Sequence, residues 1–149
     1  MIKICMRYAG DMDGAGTIYN NAMLNVFKSL ATYQEQGKLN AWIKTVMVNA
    51  AIDHVRQRVR FETADIFDTP ELVNIPATAF HQISFKEIQA MILKLPKATR
   101  TVFNMYSYEG YKHQEIASLL GISEGTSKWH VNQARKLLSQ ELNKQTHSF

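Results

Sequence analysis

The segment that most restricts the fold is Gln114–Val131, QEIASLLGISEGTSKWHV. Apolar residues recur at helical spacing on both sides of Gly121, and this pattern describes two short helices meeting at a tight turn. Ala117 falls where the first helix crosses closest to the second, so a bulkier side chain there would clash. Ile116 and Leu120 point into a small core, Gly121 permits the positive φ of the turn, Ile122 plugs the core from the turn, and Ser123 caps the second helix. Val131, Ala134 and Leu138 then form the inward stripe of that helix. Thr126, Lys128, Trp129, His130, Gln133 and Arg135 are left to face outward at varying angles. In a helix-turn-helix the first turns of the second helix enter the major groove and reach base edges, while flanking cations hold the phosphates. Glu124, Thr126, Trp129 and His130 are therefore expected nearest the bases, with Lys128, Arg135 and Lys136 on phosphates and Ser123, Ser127 and Gln133 completing the contact set. Lys112 and His113 are further candidates for phosphate contact. An αα-hairpin on a helical bundle would also turn on a glycine, but Ala, Gly, Ile and Ser at their offsets in a basic segment favour the DNA reading.

Charge is distributed in three blocks. Residues 1–61 carry eight Lys or Arg against four Asp or Glu, residues 62–80 carry none against four, and residues 81–149 carry nine against five. Two basic lobes flank an acidic connector, which suggests that each lobe faces nucleic acid. The connector holds two of the three prolines and shows neither a 3.6 nor a 2 periodicity, so it reads as a flexible linker. The expected organisation is an N-terminal domain over 1–61, a linker over 62–80 and a C-terminal domain over 81–149.

Both lobes read as helical, and no β-strand pattern of convincing length is present. Gly10-Asp11-Met12-Asp13 breaks a first helix, and Asp11 or Asp13 can cap a second running to about Ala31. In that helix Ile18, Ala22, Val26 and Leu30 recur every four residues, with Met23 and Phe27 widening the apolar face. Asn40 can cap a third helix from Ala41 to about Arg60, with Ile43, Val46, Met47, Ala50, Ala51 and Val55 on one side. Beyond the linker, Ser84 caps Phe85–Leu93, with Ile88, Ile92 and Leu95 inward. Pro96 serves as N1 of a helix to about Tyr108 that buries Val102, Phe103 and Tyr106. Helices over His113–Leu120 and Glu124–Leu142 complete the chain. The fold class is all-α: two small helical domains joined by a flexible linker, the C-terminal one a four-helix domain with a helix-turn-helix.

Other functions find little support in the residues. The apolar stretches fall short of the roughly 20 residues a membrane span needs, and the N-terminus lacks the form of a secretory signal, so a cytoplasmic protein is expected. Cys5 is the single cysteine; without Cys or His partners at ligand spacing it makes neither a disulfide nor a zinc site, and it reads as a buried apolar side chain. Cys5, the histidines and the carboxylates form no nucleophile, base and orienter set. No enzyme activity, cofactor or metal is expected.

The residues resemble the extracytoplasmic-function (ECF) group of bacterial sigma factors. Leu95-Pro96, Arg100, Val102-Phe103, Tyr108-Glu109-Gly110-Tyr111, Glu115-Ile116-Ala117, Leu120 to Thr126, Lys128 and Ala134 to Leu138 resemble their region four. Arg7 to Asp11, Val26-Phe27-Lys28, Gly37-Lys38-Leu39, Ala41-Trp42-Ile43 and Val48 to Arg56 resemble region two. The resemblance implies a factor that docks on core RNA polymerase, reads the minus-thirty-five element with region four, and recognises and helps melt the minus-ten element with region two. It also implies an anti-sigma protein as a possible partner. In region two, Lys44, Asn49, Asp53, Arg56 and Arg58 beside Trp42 offer amides, cations and an aromatic ring to a displaced strand. Thr17, Asn20, Asn21, Met23 and Leu24 fall at the polymerase-binding face. Three departures carry expectations of their own. Relatives have a further helix before the position of Met1, so region two is expected to be N-terminally short. Gly14, Gly16, Thr17, Asn20 and Asn21 replace acidic residues and a Gln-Glu pair, which implies weaker polymerase binding and two helix-interior glycines costing roughly 1 kcal/mol each. Gln133 replaces a basic residue, which flattens the salt dependence of DNA binding. The alternative reading is a small helix-turn-helix regulator that does not recruit polymerase, although the N-terminal lobe shows no strands or aspartate pocket for a sensor domain.

Overall fold

A computed structural model describes residues 1–34, 37–58 and 84–146, with the side chains of 145 and 146 excepted. The linker expected over 62–80 lies outside the described residues. The chain divides into two compact units, Met1–Val59 and Arg60–Phe149, and all regular structure among the described residues is helical.

The first unit packs three helices: α1 (Ile2–Ala9), α2 (Met12–Ser29, continued by a 3₁₀ turn at Leu30–Thr32) and α3 (Leu39–Arg58). Gly10 ends α1 in the left-handed region at φ 86°, its amide donating to the Met6 carbonyl, a conformation that a side chain would strain. Asp11 then caps α2, its carboxylate accepting from the Gly14 amide at 2.7 Å. Gly14 thus lies in the first turn rather than the helix interior, where a Cβ would meet the Ala9 Cβ at 3.0 Å; Gly16 has open space around it. Ile4, Cys5 and Tyr8 of α1 enclose a core with Ala15, Ile18, Ala22 and Val26 of α2 and Met47, Val48, Ala51, Ile52 and Val55 of α3. Cys5 is fully buried, and burial pushes its thiol pKa up. Two expectations for this core fail. Phe27 is 66% exposed, because α2 packs on α1 and α3 through the Ala15–Ile18–Ala22–Val26 side and leaves the Leu24–Phe27 side uncovered. Leu30 is likewise exposed, beyond the end of the regular α2 turns.

The second unit holds α4 (Phe85–Leu93), α5 (Lys97–Ser107), α6 (His113–Leu120) and α7 (Glu124–Thr146). Ser84 and Glu87 form a reciprocal capping box at the start of α4, with Glu87 N to Ser84 Oγ at 3.3 Å and Ser84 N to Glu87 Oε2 at 2.8 Å. Pro96 stands at the N-cap of α5, one position earlier than expected. α7 packs against α4, α5 and α6, and Ile92, Leu95 and Ala134 centre a core to which Phe103, Leu137 and Leu138 add. Alongside Val102, the buried face of α5 carries Thr99, Arg100, Thr101, Asn104 and Met105, whereas Phe103 and Tyr106 are half-buried. The buried Arg100 keeps a partner by donating from Nη1 to the Leu93 carbonyl at 2.8 Å, as a buried cation must.

Candidate nucleic-acid interface

The turn between α6 and α7 is built from local chemistry. Gly121 takes φ 68° and its amide donates to the Ala117 carbonyl, and the Ile122 amide reaches the same carbonyl at 3.1 Å. Ser123 Oγ accepts from the Thr126 amide at 2.9 Å, satisfying one of the open donors at the start of α7. At the other end of α6 the Lys112 amide donates to Glu115 Oε2 at 2.7 Å.

Along α7, Glu124, Lys128, Arg135 and Lys136 are exposed, while Trp129 and Gln133 are half-buried. Glu124, Lys128 and Arg135 follow at spacings of four and seven, so they stand along one side of the helix. Thr126, Ser127 and His130 do not join them. They are buried at 4%, 0% and 1% exposure, which removes them from the outward contact set expected above. The reason is that α7 is packed by α5 as well as by α6, and this widens its inward stripe to take in Ser127, His130, Val131 and Ala134. The hydroxyl of Thr126 lies 2.9 Å from Ser123 Oγ, and His130 Nδ1 is 3.1 Å from Thr99 Oγ1. Burial pushes the His130 pKa down to about 4, so its imidazole is neutral at pH 7. Trp129 presents its ring edge-on to His130 with centroids 4.9 Å apart, so one side of this indole is committed to its own domain. Ser123 is exposed at the turn, but its oxygen is engaged in the cap.

In the first unit, α3 places Trp42, Asn49, Asp53 and Arg56 at spacings of seven, four and three, which sets them on one face; Asn49, Asp53 and Arg56 are exposed and Trp42 is half-buried. The Trp42 ring rests on Tyr33 with centroids 5.0 Å apart and planes tilted by 41°. Arg56 and Asp53 approach only to 4.0 Å and both are exposed, a weak pair that leaves the guanidinium available to a phosphate. Lys44 and Arg58, also exposed, project half a turn away at the two ends of the helix and do not share that face.

On α2, Thr17, Asn20, Asn21 and Leu24 are exposed and Met23 is half-buried. Phe27, taken from the sequence as core, extends the Asn20–Leu24 strip by one more helical step, and Leu24 and Phe27 together show 56% and 66% of their surfaces. Among the described residues no group of three or more His, Cys, Asp or Glu is placed to hold a metal ion, and no helix is long and apolar enough to cross a membrane.

Comparison with known proteins matches both units to the halves of one family. The family model "Sigma-70 region 2" matches residues 1–61, and "Sigma-70, region 4" matches residues 85–138. Among curated proteins the chain is similar to the ECF RNA polymerase sigma factor EcfG of Rhodopseudomonas palustris, 28% identical over 132 residues that cover 88% of this chain and 72% of that one. It is 25% identical to the ECF RNA polymerase sigma factor SigM of Mycobacterium tuberculosis over 95% of this chain and 69% of that one. It is 24% identical to the ECF RNA polymerase sigma factor SigW of Bacillus subtilis over 94% and 81%. Its fold is like that of the sigma factor RpoE of Bartonella quintana, solved in complex with the anti-sigma factor NepR, with a TM-score of 0.55, 18% identity and coverage of 96% of this chain and 89% of that one. With a region 2 match over α1–α3, a region 4 match from α4 into α7 and relatives that span both, the chain belongs to the sigma-70 family, in the extracytoplasmic-function group of RNA polymerase sigma factors.

Proposed function

We propose that this chain binds core RNA polymerase and directs it to promoters in the cytoplasm, without catalytic chemistry of its own. Residues 1–61 act as region 2, 62–80 as an acidic connector and 81–149 as region 4. In region 4 the exposed side of α7 lies in the major groove of the upstream promoter element, with Lys128, Arg135 and Lys136 on phosphates and Glu124, Trp129 and Gln133 nearest the bases. In region 2 the Trp42, Asn49, Asp53 and Arg56 face of α3 receives the opened strand, where an aromatic ring, an amide and a cation can stack on and hold unpaired bases. The polymerase docks on α2 through Thr17, Asn20, Asn21 and Leu24, with Phe27 added as an apolar anchor of the kind that dominates interface energies. An anti-sigma protein is a further partner, by analogy with the RpoE–NepR complex.

The observation that carries this reading is the exposed cationic side of α7, set at its angle by the Gly121 turn and the Ser123 cap. The test is transcription in vitro with core polymerase on a pool of genomic promoters. Transcripts from defined start sites that vanish when the chain is withheld support it. DNA binding by the chain without any start-site-specific transcript favours the small regulator that does not recruit polymerase.

A further inference from the structure

Where the α5–α6 turn meets the start of α7, a side chain outside the groove-reading set stands among basic residues. His113 opens α6 and is half-buried. Its ring stacks on Tyr106 of α5 with centroids 4.6 Å apart and planes 15° apart. Its Nδ1 lies 2.9 Å from Oγ of Ser127, itself fully buried on α7. Braces from two helices therefore fix the ring, and because Nδ1 is turned to Ser127, Nε2 is the nitrogen left for a ligand.

The charges around His113 come mainly from α7. Burial is the larger cause holding its pKa below the ordinary histidine value; Lys128 and Arg135 add to it, and Glu124 opposes. On α6 itself the Glu115 carboxylate is engaged by the amide of Lys112, whose own ammonium adds a further positive group at the helix start. At the turn, burial and, after it, the nearby Glu109 and Glu115 push the Tyr111 phenol pKa up, and Tyr106 of α5 offers its ring face. His113 thus sits between the amide end of α6 and two exposed cations, an environment that repels a proton while it is empty and welcomes an anion.

We propose that His113 is a ligand for a DNA backbone phosphate and takes up a proton as the duplex docks, with Lys128 and Arg135 flanking it along the same strand. This rests on the reading of α7 as the DNA-facing helix. An arriving phosphate offsets the repulsion from the two cations, so the imidazole charges. Its Nε2–H then donates a charge-assisted hydrogen bond to the phosphate oxygen, while Nδ1–H donates to Ser127 Oγ. Because binding and protonation are linked reciprocally, the duplex binds more tightly as pH falls through the pKa of the bound form.

The test measures binding of the full chain to a short labelled duplex of mixed sequence by fluorescence anisotropy at low salt, from about pH 8 to about pH 6. Circular dichroism checks that the folded fraction is constant across this range. Each unit by which the duplex raises the His113 pKa tightens binding about tenfold at the acid end relative to the alkaline end. His113→Gln binds with a flat pH profile, and Lys128→Met, which removes one repelling cation from the unbound state, shows a smaller pH effect than wild type. In NMR the His113 ring proton titrates at higher pH with duplex than without. Equal pH dependence in wild type and His113→Gln, or an unmoved His113 midpoint, overturns the proposal while duplex binding survives. Failure of the wild type to bind duplex at any pH overturns the placement of α7 on DNA, and this inference with it.

Discussion

Acidification should loosen the second unit through His130. This side chain is 1% exposed, and burial lowers its pKa from 6.5 to about 4. In the unfolded chain the imidazole takes up a proton as pH falls through its ordinary value, whereas the folded chain excludes that proton until pH approaches 4. Stability is therefore complete above the unfolded value and is lost progressively as pH drops towards the folded one. The loss approaches about 1.4 kcal/mol per pH unit inside that window, which amounts to about 2 kcal/mol between about pH 7.5 and about pH 5. That is a large fraction of the roughly 5–15 kcal/mol that holds a domain together. Trp129, edge-on to His130, reports unfolding of this unit by fluorescence in urea once Trp42 is replaced by Phe. His54 and His113 also have lowered pKa values, so the comparison is with His130→Asn, whose amide oxygen can accept from Thr99 but cannot titrate. The variant should start less stable through lost packing and then lose about 2 kcal/mol less than the wild type over the same pH interval. An equal acid loss in the two proteins would refute the assignment of that proton to His130.

The two α2 glycines should respond differently to alanine. Gly16→Ala meets nothing within 4 Å and should raise thermal stability by up to about 1 kcal/mol, whereas Gly14→Ala, 3.0 Å from the Ala9 Cβ, should gain less or lose stability. A gain at Gly14 matching that at Gly16 would contradict the close approach of α1. Ser123→Ala removes the acceptor of the Thr126 amide and should cost about 1 kcal/mol in urea unfolding followed through Trp129; a cost near zero would mean that the start of α7 is held by other contacts. Phe27→Ser removes an exposed side chain, so thermal stability should hold within about 0.5 kcal/mol while affinity for core polymerase falls at least tenfold in a pull-down titration. Unchanged affinity would place the docking surface elsewhere.

Much of this protein is written in local chemistry and is legible without coordinates. Ser84 with Glu87, Asp11 before Met12, Gly10 and Gly121 in the left-handed region, and Ser123 ahead of α7 each act through atoms within a turn of themselves. Residue type and spacing suffice to find them. The identity of Lys128, Arg135 and Lys136 as a solvent-facing cationic side was legible for the same reason, since one packed stripe leaves the opposite side to water.

Tertiary packing decided what one-dimensional periodicity leaves open, namely how many neighbours each helix has and on which sides. A second neighbour on α7 drew Thr126, Ser127 and His130 inward, although their polarity and position suggested DNA. For His130 and Ser127 the partners that make burial tolerable come from elsewhere in the chain, Thr99 and His113, whereas Thr126 is held locally by Ser123. On α2 the effect ran the other way: two neighbours gathered on the small-residue side, and Phe27 was left in solvent despite its apolar ring. Sequence alone determined which helices form, several of their caps and the cationic side of α7, although α3 starts at Leu39 rather than after an Asn40 cap. Only the folded arrangement determined which polar groups were hidden and which ring was left exposed, because burial depends on distant chain segments meeting and not on any property of the residue itself.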